Sequence, residues 1–474
     1  MNAPPILPIL LWSDALIWLL ALAGATLAAL SWRNPPSRAA WRRVGANRPG
    51  MAAATILAAF VAVGLLDSLH YRPRLENPLP EQAAAYAVEV LSALDALAAP
   101  LRLASEKTYS APLATRAYAK ETMEIRAADG SLRTLRDFPR LKYGGAHLGD
   151  DEAARDGDVL AKALAAAALA AGVFAALAWA VARVLARRAG ERVGQAWSRL
   201  WKGETGFAWN AVLIASGALL LALLPILALC GDYHVFGTDK VGQDVFYQIL
   251  KSVRTALVIG LVTTLVALPV AIGLGILAGY FRGWVDDAIQ YLYTTISSIP
   301  GVLLIAAAVL MMQVIIDTHP QWFATAAERA DLRLLSLCFI LGLTSWTSLC
   351  RLLRGETLKL RELEYIQAAQ AFGVADLAIL RRHVLPNLMH LVIITLVMDF
   401  SGLVLAEAVL SYVGIGVDPT MTSFGTMINN ARMELSREPA VWWSLASAFT
   451  FMFTLVLAAN LLADAVRDAF DPRG

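Results

Sequence analysis

The chain has 474 residues, of which 58% are hydrophobic and 16% are charged, and its formal net charge is +2. A soluble domain carries about 25% charged residues, so the composition excludes an ordinary soluble globular protein. The small net charge says little about partners. No nucleic-acid partner is expected. Runs of about 20 apolar residues, the length that one helix needs to cross a bilayer, recur along the chain and predict an integral membrane protein in contact with lipid.

Nine apolar runs are long enough to span a bilayer. A chain in lipid must satisfy its own backbone hydrogen bonds, so all nine are predicted to be helices in an all-α, polytopic membrane helical bundle. The first run has no basic start, contains Asp14 and is too long for a signal peptide. The predicted spans are residues 7–30, 51–69, 159–182, 207–229, 253–280, 288–316, 334–352, 388–416 and 441–465.

Lysine and arginine collect in the linkers after the first, third and seventh predicted spans. Basic linkers stay in the cytoplasm, so these three are predicted to be cytoplasmic. They occur at alternate connections, which predicts an N-terminus that faces outward and a cytoplasmic C-terminus. The basic residues are Arg33, Arg38, Arg42, Arg43, Arg48, Arg183, Arg187, Arg188, Arg192, Arg199, Lys202, Arg351, Arg354, Lys359, Arg361, Arg381 and Arg382.

Residues 71–158 form the one long hydrophilic region and are predicted to be an outward-facing loop. The first part, EQAAAYAVEVLSALDALAAPLRLA, has helical periodicity but contains Glu89 and Asp95. A charge at the bilayer centre costs about 2.5–3.5 kcal/mol, which favours a surface amphipathic helix over a tenth span. The remainder is rich in turn residues, with short strand-like pieces. A cap near the outer mouth of a pathway and a purely structural insertion are both compatible with this pattern.

Small residues recur at a spacing of four in the fifth predicted span. Ala271, Gly275 and Gly279 fall on one helix face. Such a stripe lets neighbouring backbones approach closely in lipid. It predicts tight helix packing and no particular chemistry.

The cysteines and histidines show no spacing typical of a metal site or of a disulfide framework. Cys230, Cys338 and Cys350 lie far apart in or beside apolar runs, where they are interpreted as small hydrophobic residues. We therefore expect no metal site and no cofactor. The histidines are His70, His147, His234, His319, His383 and His390.

Residues 356–387, between the seventh and eighth predicted spans, are polar and rich in small residues. Tyr365, Ala368, Ala369 and Phe372 occur at i, i+3, i+4 and i+7, which places them on one face of a short helix. The alanines leave room on that face for another surface to come close. This part of the chain is predicted to lie outside the membrane, on the cytoplasmic side.

Gly373 stands where that helix would end with a positive φ. Asp376 is placed to cap a second helix, LAILRRHV, whose leucine and isoleucine side is predicted to turn inward. Its arginines come late, near the negative end of the helix dipole, and Pro386 is expected to end it. We call residues 356–387, with these two short helices, the bracket. A connecting loop without a partner would have little reason to hold this arrangement.

The bracket resembles the EAA loop of permease subunits in binding-protein-dependent ABC importers. That loop reads Glu-Ala-Ala, three residues, Gly, about nine residues, then hydrophobic-x-Leu-Pro, and Gln367 here replaces the leading Glu. The resemblance implies that the bracket is the lever which ATPase subunits grip. The residues assigned to coupling are Glu364, Gln367, Ala368, Ala369, Phe372, Gly373, Asp376, Leu385 and Pro386.

Four other segments are similar to the dipeptide, oligopeptide and nickel branch of that family, and to its C-type subunit. They are WRRVGANRPGMAAATIL at 41–57, FGTDKVGQDVF at 236–246, LAEAVLSYVGIGVDP at 405–419 and NLLADAVRDAFDP at 460–472. In the second, Gln243 replaces an arginine. The resemblance covers about 40–70 and 236–472.

The resemblance implies a core of six spans, to which the first, third and fourth predicted spans are additions. The predicted division is 1–50, an extra span with a basic cytoplasmic linker; 51–70, the first core span; 71–158, a periplasmic insertion; 159–229, an inserted pair of spans; and 230–474, the permease core.

The resemblance further implies transport without catalysis in this chain. The pattern G-x-x-x-x-G-K-[ST] is absent from the sequence, so ATP hydrolysis is expected from two separate ATPase subunits. The resemblance also implies a second homologous permease that forms a heterodimer with this chain, a periplasmic solute-binding protein and a location in the bacterial inner membrane. Peptides or similar small solutes are the implied cargo, and a nickel complex or another solute would fit the same branch.

The alternative hypothesis is an ion-coupled secondary transporter or a channel, which needs ionisable residues within its spans. The candidates are Asp14, Asp399, Glu407 and Asp464. Asp399 and Glu407 are candidates for a translocation pathway, and satisfied polar groups at helix contacts are the structural alternative. A membrane sensor with an outer domain is a third hypothesis, for which the sequence shows no signalling domain after the last span.

Overall fold

The computed structural model describes residues 6–33, 35–74, 86–126, 132–149, 151–323 and 325–470. Within these ranges helices account for nearly all regular structure, which confirms the predicted all-α class. The first half of the chain forms α1 (Trp12–Arg33), α2 (Pro35–Ala46), α3 (Arg48–Asp67), α4 (Ala93–Leu97), α5 (Ala99–Leu103), α6 (Arg155–Ala189), α7 (Val193–Lys202) and α8 (Trp209–Leu229).

The second half continues with long helices and a few short ones. They are α9 (Val245–Phe281), α10 (Gly283–Ser298), α11 (Gly301–Thr318), α12 (Ala326–Ser345), α13 (Thr347–Arg361), α14 (Glu364–Ala371), α15 (Asp376–Ile379), a π-helical turn (Leu380–Val384), α16 (Leu385–Val413), α17 (Phe424–Arg432) and α18 (Trp443–Phe470). Short 3₁₀ turns lie at Ala146–Leu148, Glu152–Ala154 and Pro320–Trp322.

Eight described helices are long and apolar enough to cross a membrane, and each matches one of the last eight predicted spans. The first predicted span is only partly right. Its start forms a strand, and the described apolar part of α1, Trp12–Thr26, is shorter than a full crossing. The eight helices are Arg48–Asp67, Glu152–Ala189, Trp209–Leu229, Val245–Phe281, Gly301–Thr318, Ala326–Arg361, Asp376–Val413 and Trp443–Phe470.

The predicted span 288–316 is divided in the structure, and its predicted start is therefore wrong. Ile299 has φ −88° and ψ 132°, an extended conformation, between α10 and α11. Pro300 follows, and a residue before proline is driven out of the helical region by the proline ring. The apolar run continues across this break, which is why hydropathy joined the two helices.

The strands lie in two small antiparallel sheets. The first sheet has the order β1 (Ile6–Ile9), β2 (His70–Pro73), β3 (Leu91–Ser92), and the second pairs β4 (Glu121–Arg126) with β5 (Leu132–Asp137). The hairpin agrees with the strand-like pieces expected in the insertion.

The predicted surface helix of the insertion is wrong in its described part. Residues 86–104 contain β3 and the five-residue helices α4 and α5, while 81–85 lie outside the described residues. Ser92 and Asp95 form a capping box that starts α4, and Pro100 lies in the first turn of α5. The hydrophobic periodicity of this segment predicted one helix. The capping box and the proline, eight positions apart, instead start two separate short helices.

The described chain forms two compact units. One comprises Met1–Ile9, Gly45–Arg254 and Thr422–Ala458. In this unit α8 packs against both α6 and α3. The buried face of α6 is made of alanines, which allows close approach of a neighbouring helix. These alanines are Ala166, Ala170, Ala178, Ala182 and Ala186.

The other unit comprises Leu10–Val44, Thr255–Met421 and Ala459–Gly474. In this unit the backbone N–H of Ser13 on α1 donates to Asp331 on α12 at 3.1 Å. The small-residue stripe of α9 packs closely against α13, in agreement with the tight helix packing predicted for it. A Cβ at Gly275 would lie 2.8 Å from the carbonyl oxygen of Cys350, and one at Gly279 would lie 2.6 Å from Cβ of Thr357. Side chains at these positions would push the two helices apart.

Candidate functional site

The bracket contains the two short helices that the sequence predicts, joined at Gly373. α14 ends at Ala371, and the N–H groups of Phe372 and Val374 donate to the carbonyls of Ala368 and Ala369 at 2.9 and 3.1 Å. Gly373 has φ +74°, which confirms the predicted left-handed turn. A Cβ there would meet no atom within 4 Å. The position therefore favours glycine for its backbone angle and not for lack of space.

The bracket buries one residue from each helix and exposes its turn. Ile366 on α14 and Ile379 on α15 are completely buried in a core shared with the end of α9 and with α13. Of the predicted outer face, Tyr365, Ala368 and Phe372 are exposed, and Ala369 is half-buried. The predicted face is thus the one that points away from the chain.

Three apolar side chains stand out from the turn, and we call them the apolar tip. Phe372 is 87% exposed, Leu377 is 71% exposed and Val374 is 41% exposed. The prediction that Leu377 turns inward is wrong, because Ile379 and Leu380 fill the inner side of this one-turn helix. Contiguous exposed apolar side chains typically mark a binding surface.

Asp376 does not cap the second helix with its side chain, contrary to the prediction. The N-cap position is Ala375, without a side-chain hydrogen bond. The carboxylate of Asp376 instead accepts a hydrogen bond of 2.7 Å from the hydroxyl of Tyr280, at the end of α9. Its charge still lies in the first turn of α15, where the helix dipole favours an acidic residue.

Tyr280 joins three parts of the bracket, and we call this arrangement the tyrosine hub. Besides donating to Asp376, its hydroxyl accepts a hydrogen bond of 3.0 Å from Nε2 of Gln370. Its backbone carbonyl accepts one of 2.7 Å from Arg361, whose guanidinium lies 5.7 Å from the Tyr280 ring centre. Tyr280 was missed in the sequence. The available signal was a tyrosine directly after Gly279, at the end of an apolar run.

Gln367 makes a contact that the family's usual glutamate could not make. Its Nε2 donates to the backbone carbonyl of Glu362 at 3.2 Å, and a carboxylate has no hydrogen to donate. The ion pair at this corner is instead formed by Glu362 and Arg282. Glu364 is exposed in the first turn of α14.

Pro386 does not end the second helix. Helical structure continues from Asp376 to Val413 through the π-helical turn. Proline lacks an N–H and its ring clashes with the carbonyl four residues earlier, here Arg382, which lies within the widened turn. The π turn accommodates the proline, so the bracket joins α16 without a loop. Leu385 is half-buried and Pro386 is exposed at this junction.

The two carboxylates proposed for a pathway have different surroundings. Glu407 is 2% exposed and accepts a hydrogen bond of 2.6 Å from Ser411, one turn later on α16. Asp399 is exposed on the same helix. Eight residues separate them, which is about 12 Å along a helix. The structure therefore does not bring them together as a relay pair.

A buried ionic cluster, which the sequence did not reveal, lies in the other unit. Nδ1 of His234 is 2.8 Å from Asp244, and its Nε2 is 3.6 Å from Glu106. All three side chains are at most 4% exposed. We call this group the histidine clamp. It ties the insertion to the segment FGTDKVGQDVF, where Gly242 (φ +76°) lies against the backbone of Glu106.

The clamp groups perturb one another's protonation. Burial disfavours charge on His234, yet the carboxylates of Asp244 and Glu106 raise its pKa from 6.5 to about 9. Burial likewise opposes ionisation of Glu106. Its ion pair with His234 and the hydrogen bonds from the N–H groups of Lys142, Tyr143 and Gly144 outweigh burial and lower its pKa from 4.5 to about 2. His234 and Glu106 are therefore both charged at neutral pH.

A second buried pair of carboxylates lies in the same unit. Nζ of Lys251 is 2.6 Å from Asp67 and 3.1 Å from Asp95. Burial alone would raise the pKa of Asp95. The positive charge of Lys251 and a hydrogen bond from Tyr247 have the larger, opposite effect, so the pKa of Asp95 lies below its usual value. Among the described residues no cluster of three or more His, Cys, Asp or Glu could hold a metal ion.

Comparison with known proteins identifies the family. The profile of the family described as "Binding-protein-dependent transport system inner membrane component" matches residues 271–473. The glutathione transport system permease protein GsiD of Pectobacterium atrosepticum is 34% identical over 242 residues, 51% of this chain and 73% of that protein. The oligopeptide transport system permease protein OppC of Mycobacterium bovis is 29% identical over 242 residues, 51% of this chain and 77% of that protein.

A solved structure of inward facing conformations of the MetNI methionine ABC transporter aligns with 48% of this chain and 97% of that chain, at 15% identity and a TM-score of 0.36. The match to GsiD, at 34% identity over nearly three quarters of that protein, carries the assignment. The chain therefore belongs to the family of inner-membrane permease components of binding-protein-dependent transport systems, the ABC importers.

Proposed function

We propose that this chain carries peptides or peptide-like solutes such as glutathione across the bacterial inner membrane, and that ATPase subunits drive it through the bracket. Permeases of this family work with separate ATPases and a binding protein. The peptide cargo is inferred from the relatives, two of which transport glutathione and oligopeptides. The observation that carries the coupling proposal is the apolar tip, exposed on a rigid support.

The tip is suited to insertion into a groove on an ATPase. Phe372 and Leu377 offer apolar area at the end of a narrow turn, and burial of one such side chain contributes about 1.5–3 kcal/mol. The support beneath them is stiff, because Ile366 and Ile379 are buried and the tyrosine hub links both helices. A stiff support transmits displacement instead of absorbing it.

The connections of the bracket suggest how movement reaches the spans. α15 continues into α16 through the π-helical turn, without a flexible loop. Tyr280 binds Asp376 directly at the end of α9. A shift of the apolar tip would thus move two membrane helices together. We propose that this shift is the step by which ATP hydrolysis changes access to the pathway.

We further propose the assembly and topology expected for this branch. Two ATPases and a second, homologous permease would complete the transporter, with a periplasmic binding protein delivering the solute. Residues 71–158 and the N-terminus would be periplasmic, and the C-terminus cytoplasmic. The core would be 51–70 and 230–474, with 1–50 and 159–229 as additions. Asp399, exposed on α16, is our candidate for the pathway, whereas Glu407 is satisfied within the chain.

The coupling proposal is tested with Phe372→Ala and Leu377→Ala. Loss of a central apolar anchor typically costs at least 2 kcal/mol, so we expect ATPase binding about 30-fold weaker and uptake correspondingly reduced, at unchanged membrane abundance. Trp284→Ala is the matched control, an 80% exposed aromatic outside the bracket. Normal ATPase co-purification and uptake in both tip variants, or an equal loss in the control, would refute the proposal.

The topology is tested by labelling single cysteines in a background without the three native cysteines. Ala119 is an exposed position in the insertion, and Gly194 is an exposed position in α7. An impermeant thiol reagent, applied to cells whose outer membrane has been permeabilised, should label Ala119→Cys and leave Gly194→Cys unlabelled. The reverse pattern would overturn the orientation.

A further inference from the structure

The inserted helices carry a feature that the transport function does not use. α6 ends at Ala189, and Gly190 (φ +67°) turns the chain so that α7 begins three residues later. α7 packs back through Ala196 and Leu200, both buried. Leu200 lies in a core with alanines of α6 and a leucine of α8. α7 is thus held at the end of a membrane-spanning helix pair.

A row of apolar side chains on α7 lies beside this core, where Trp201 also contacts Phe174 of α6. Val193, Trp197 and Trp201 occur at i, i+4 and i+8, and each is 37–38% exposed. The two indole rings are 5.9 Å apart. Tryptophan is enriched where hydrocarbon meets headgroups, and an amphipathic helix with such a face lies in that interface. The row therefore indicates that α7 rests in the boundary layer of the bilayer.

Basic side chains surround this interfacial helix. Residues 183–204 contain six basic and two acidic side chains. One acidic residue, Glu191, is 2.6 Å from Arg199, which leaves most of the positive charge uncompensated. Clusters of this size beside a membrane helix attract anionic lipids. The basic residues are Arg183, Arg187, Arg188, Arg192, Arg199 and Lys202.

A small cavity opens among these arginines. It has a volume of about 180 Å³ and lies between the last turn of α6, α7 and the residues that follow α7. A single water needs a cavity volume of about 10–15 Å³, so this cavity is large enough for a group much larger than water. Two guanidinium groups reach it, and a guanidinium binds phosphate oxygens in a planar, two-pronged geometry. The lining residues are Leu185, Arg188, Ala189, Ala196, Arg199 and Thr205.

We propose that this cavity binds the phosphate headgroup of an anionic phospholipid. Arg188 and Arg199 contact the phosphate, while the acyl chains run beside Val193, Trp197 and Trp201. A membrane lipid is favoured over a free phosphate because the cavity lies at the end of a spanning helix, beside an apolar row exposed in the interface. The inserted helices thereby make the transporter responsive to membrane lipid composition, independently of which solute it carries.

The test measures lipid retention by the full chain. The protein would be placed in nanodiscs of phosphatidylcholine with increasing phosphatidylglycerol, recovered in mild detergent and analysed for bound lipid by native mass spectrometry. Arg188→Gln/Arg199→Gln removes both guanidinium groups that line the cavity and contact the phosphate, so it should lower the preference for phosphatidylglycerol at least tenfold. Arg187→Gln/Arg192→Gln removes the same charge from outside the cavity lining and should lower it less.

Several outcomes would overturn the proposal. Equal losses in the two double variants would mean diffuse attraction without a headgroup site. The melting temperature of the protein would also be measured with inorganic phosphate and with glycerol phosphate. If either raises it as much as phosphatidylglycerol does, the occupant of the cavity is a free anion. If Arg188→Gln/Arg199→Gln does not fold, Arg188→Lys/Arg199→Lys keeps the charge but removes the two-pronged geometry, and retained preference in that variant would exclude a specific phosphate contact.

Discussion

The bracket and the histidine clamp are both held by polar side-chain contacts, but these contacts leave very different surfaces exposed. In the bracket, Tyr280 supports side chains such as Phe372 that remain exposed and apolar. In the clamp, His234 forms ion pairs with Glu106 and Asp244, and the three side chains are almost completely buried. Charged groups that pair with one another inside the protein indicate a structural contact, whereas exposed apolar side chains on a rigid support indicate a surface that binds a partner.

This contrast predicts which variants damage stability and which damage coupling. Changes in the clamp should lower the melting temperature without altering how the folded protein binds ATPases. Changes in the bracket should weaken ATPase binding at nearly constant melting temperature. A variant that produced both effects equally would break the distinction.

The largest effect is expected from His234→Leu. The substitution leaves Glu106 and Asp244 buried without their cation, and loss of one partner from a buried ionic group typically costs about 3–5 kcal/mol. The melting temperature in detergent should fall sharply, while the remaining folded protein binds ATPases normally. His147→Leu is the control, because His147 forms a partly exposed pair with Asp158 and should cost about 1 kcal/mol or less. Similar melting temperatures in the two variants would contradict a stabilising role for the clamp.

The clamp also predicts a pH dependence of stability. The raised pKa of His234 contributes stability that is complete below pH 6.5 and is lost as pH rises through about 9. The lowered pKa of Glu106 contributes stability that is complete above pH 4.5 and is lost as pH falls toward 2. The melting temperature should therefore be highest between about pH 4.5 and 6.5. The alkaline decline should be weaker in His234→Gln, and equal declines would assign it to other groups.

Gly373→Val should separate coupling from assembly. A β-branched residue at φ +74° costs about 1–3 kcal/mol of backbone strain, which displaces α15 and the apolar tip. We expect ATPase binding and uptake to fall at least fivefold at normal membrane abundance. Gly373→Asn is the matched control, since asparagine tolerates the left-handed region and no neighbour lies within 4 Å of a Cβ here. Equal uptake in both variants would show that the turn geometry is not used.

The smallest effect is expected from Tyr280→Phe. The variant keeps the ring but removes the hydroxyl that donates to Asp376 and accepts from Gln370, a loss of about 1 kcal/mol. ATPase binding should weaken about fivefold, because the two short helices are less firmly joined. Tyr291→Phe, at an exposed tyrosine of α10, should leave binding unchanged. If Tyr280→Phe binds ATPases as tightly as the unmodified protein does, the tyrosine hub takes no part in coupling.

The sequence by itself determined the features that depend on short stretches. Eight of the nine predicted spans follow from apolar runs, since bilayer thickness sets the length of a crossing. The positive φ of Gly373 was predicted because a helix had to end there. The close helix packing at Gly279 was predicted from the spacing of small residues. Each of these inferences uses at most about 40 consecutive positions.

Only the tertiary structure decided which polar groups pair and which apolar ones remain exposed. Tyr280 and Asp376 are 96 positions apart, and no local pattern connects them. Leu377 was predicted inside, and only the packing of Ile379 left it exposed. Pro386 normally ends a helix, yet the π turn before it lets α16 continue. For Tyr280 and Leu377 the physical reason is the same: hydrogen-bond partners and burial are set by neighbours in space, and these came from distant parts of the chain.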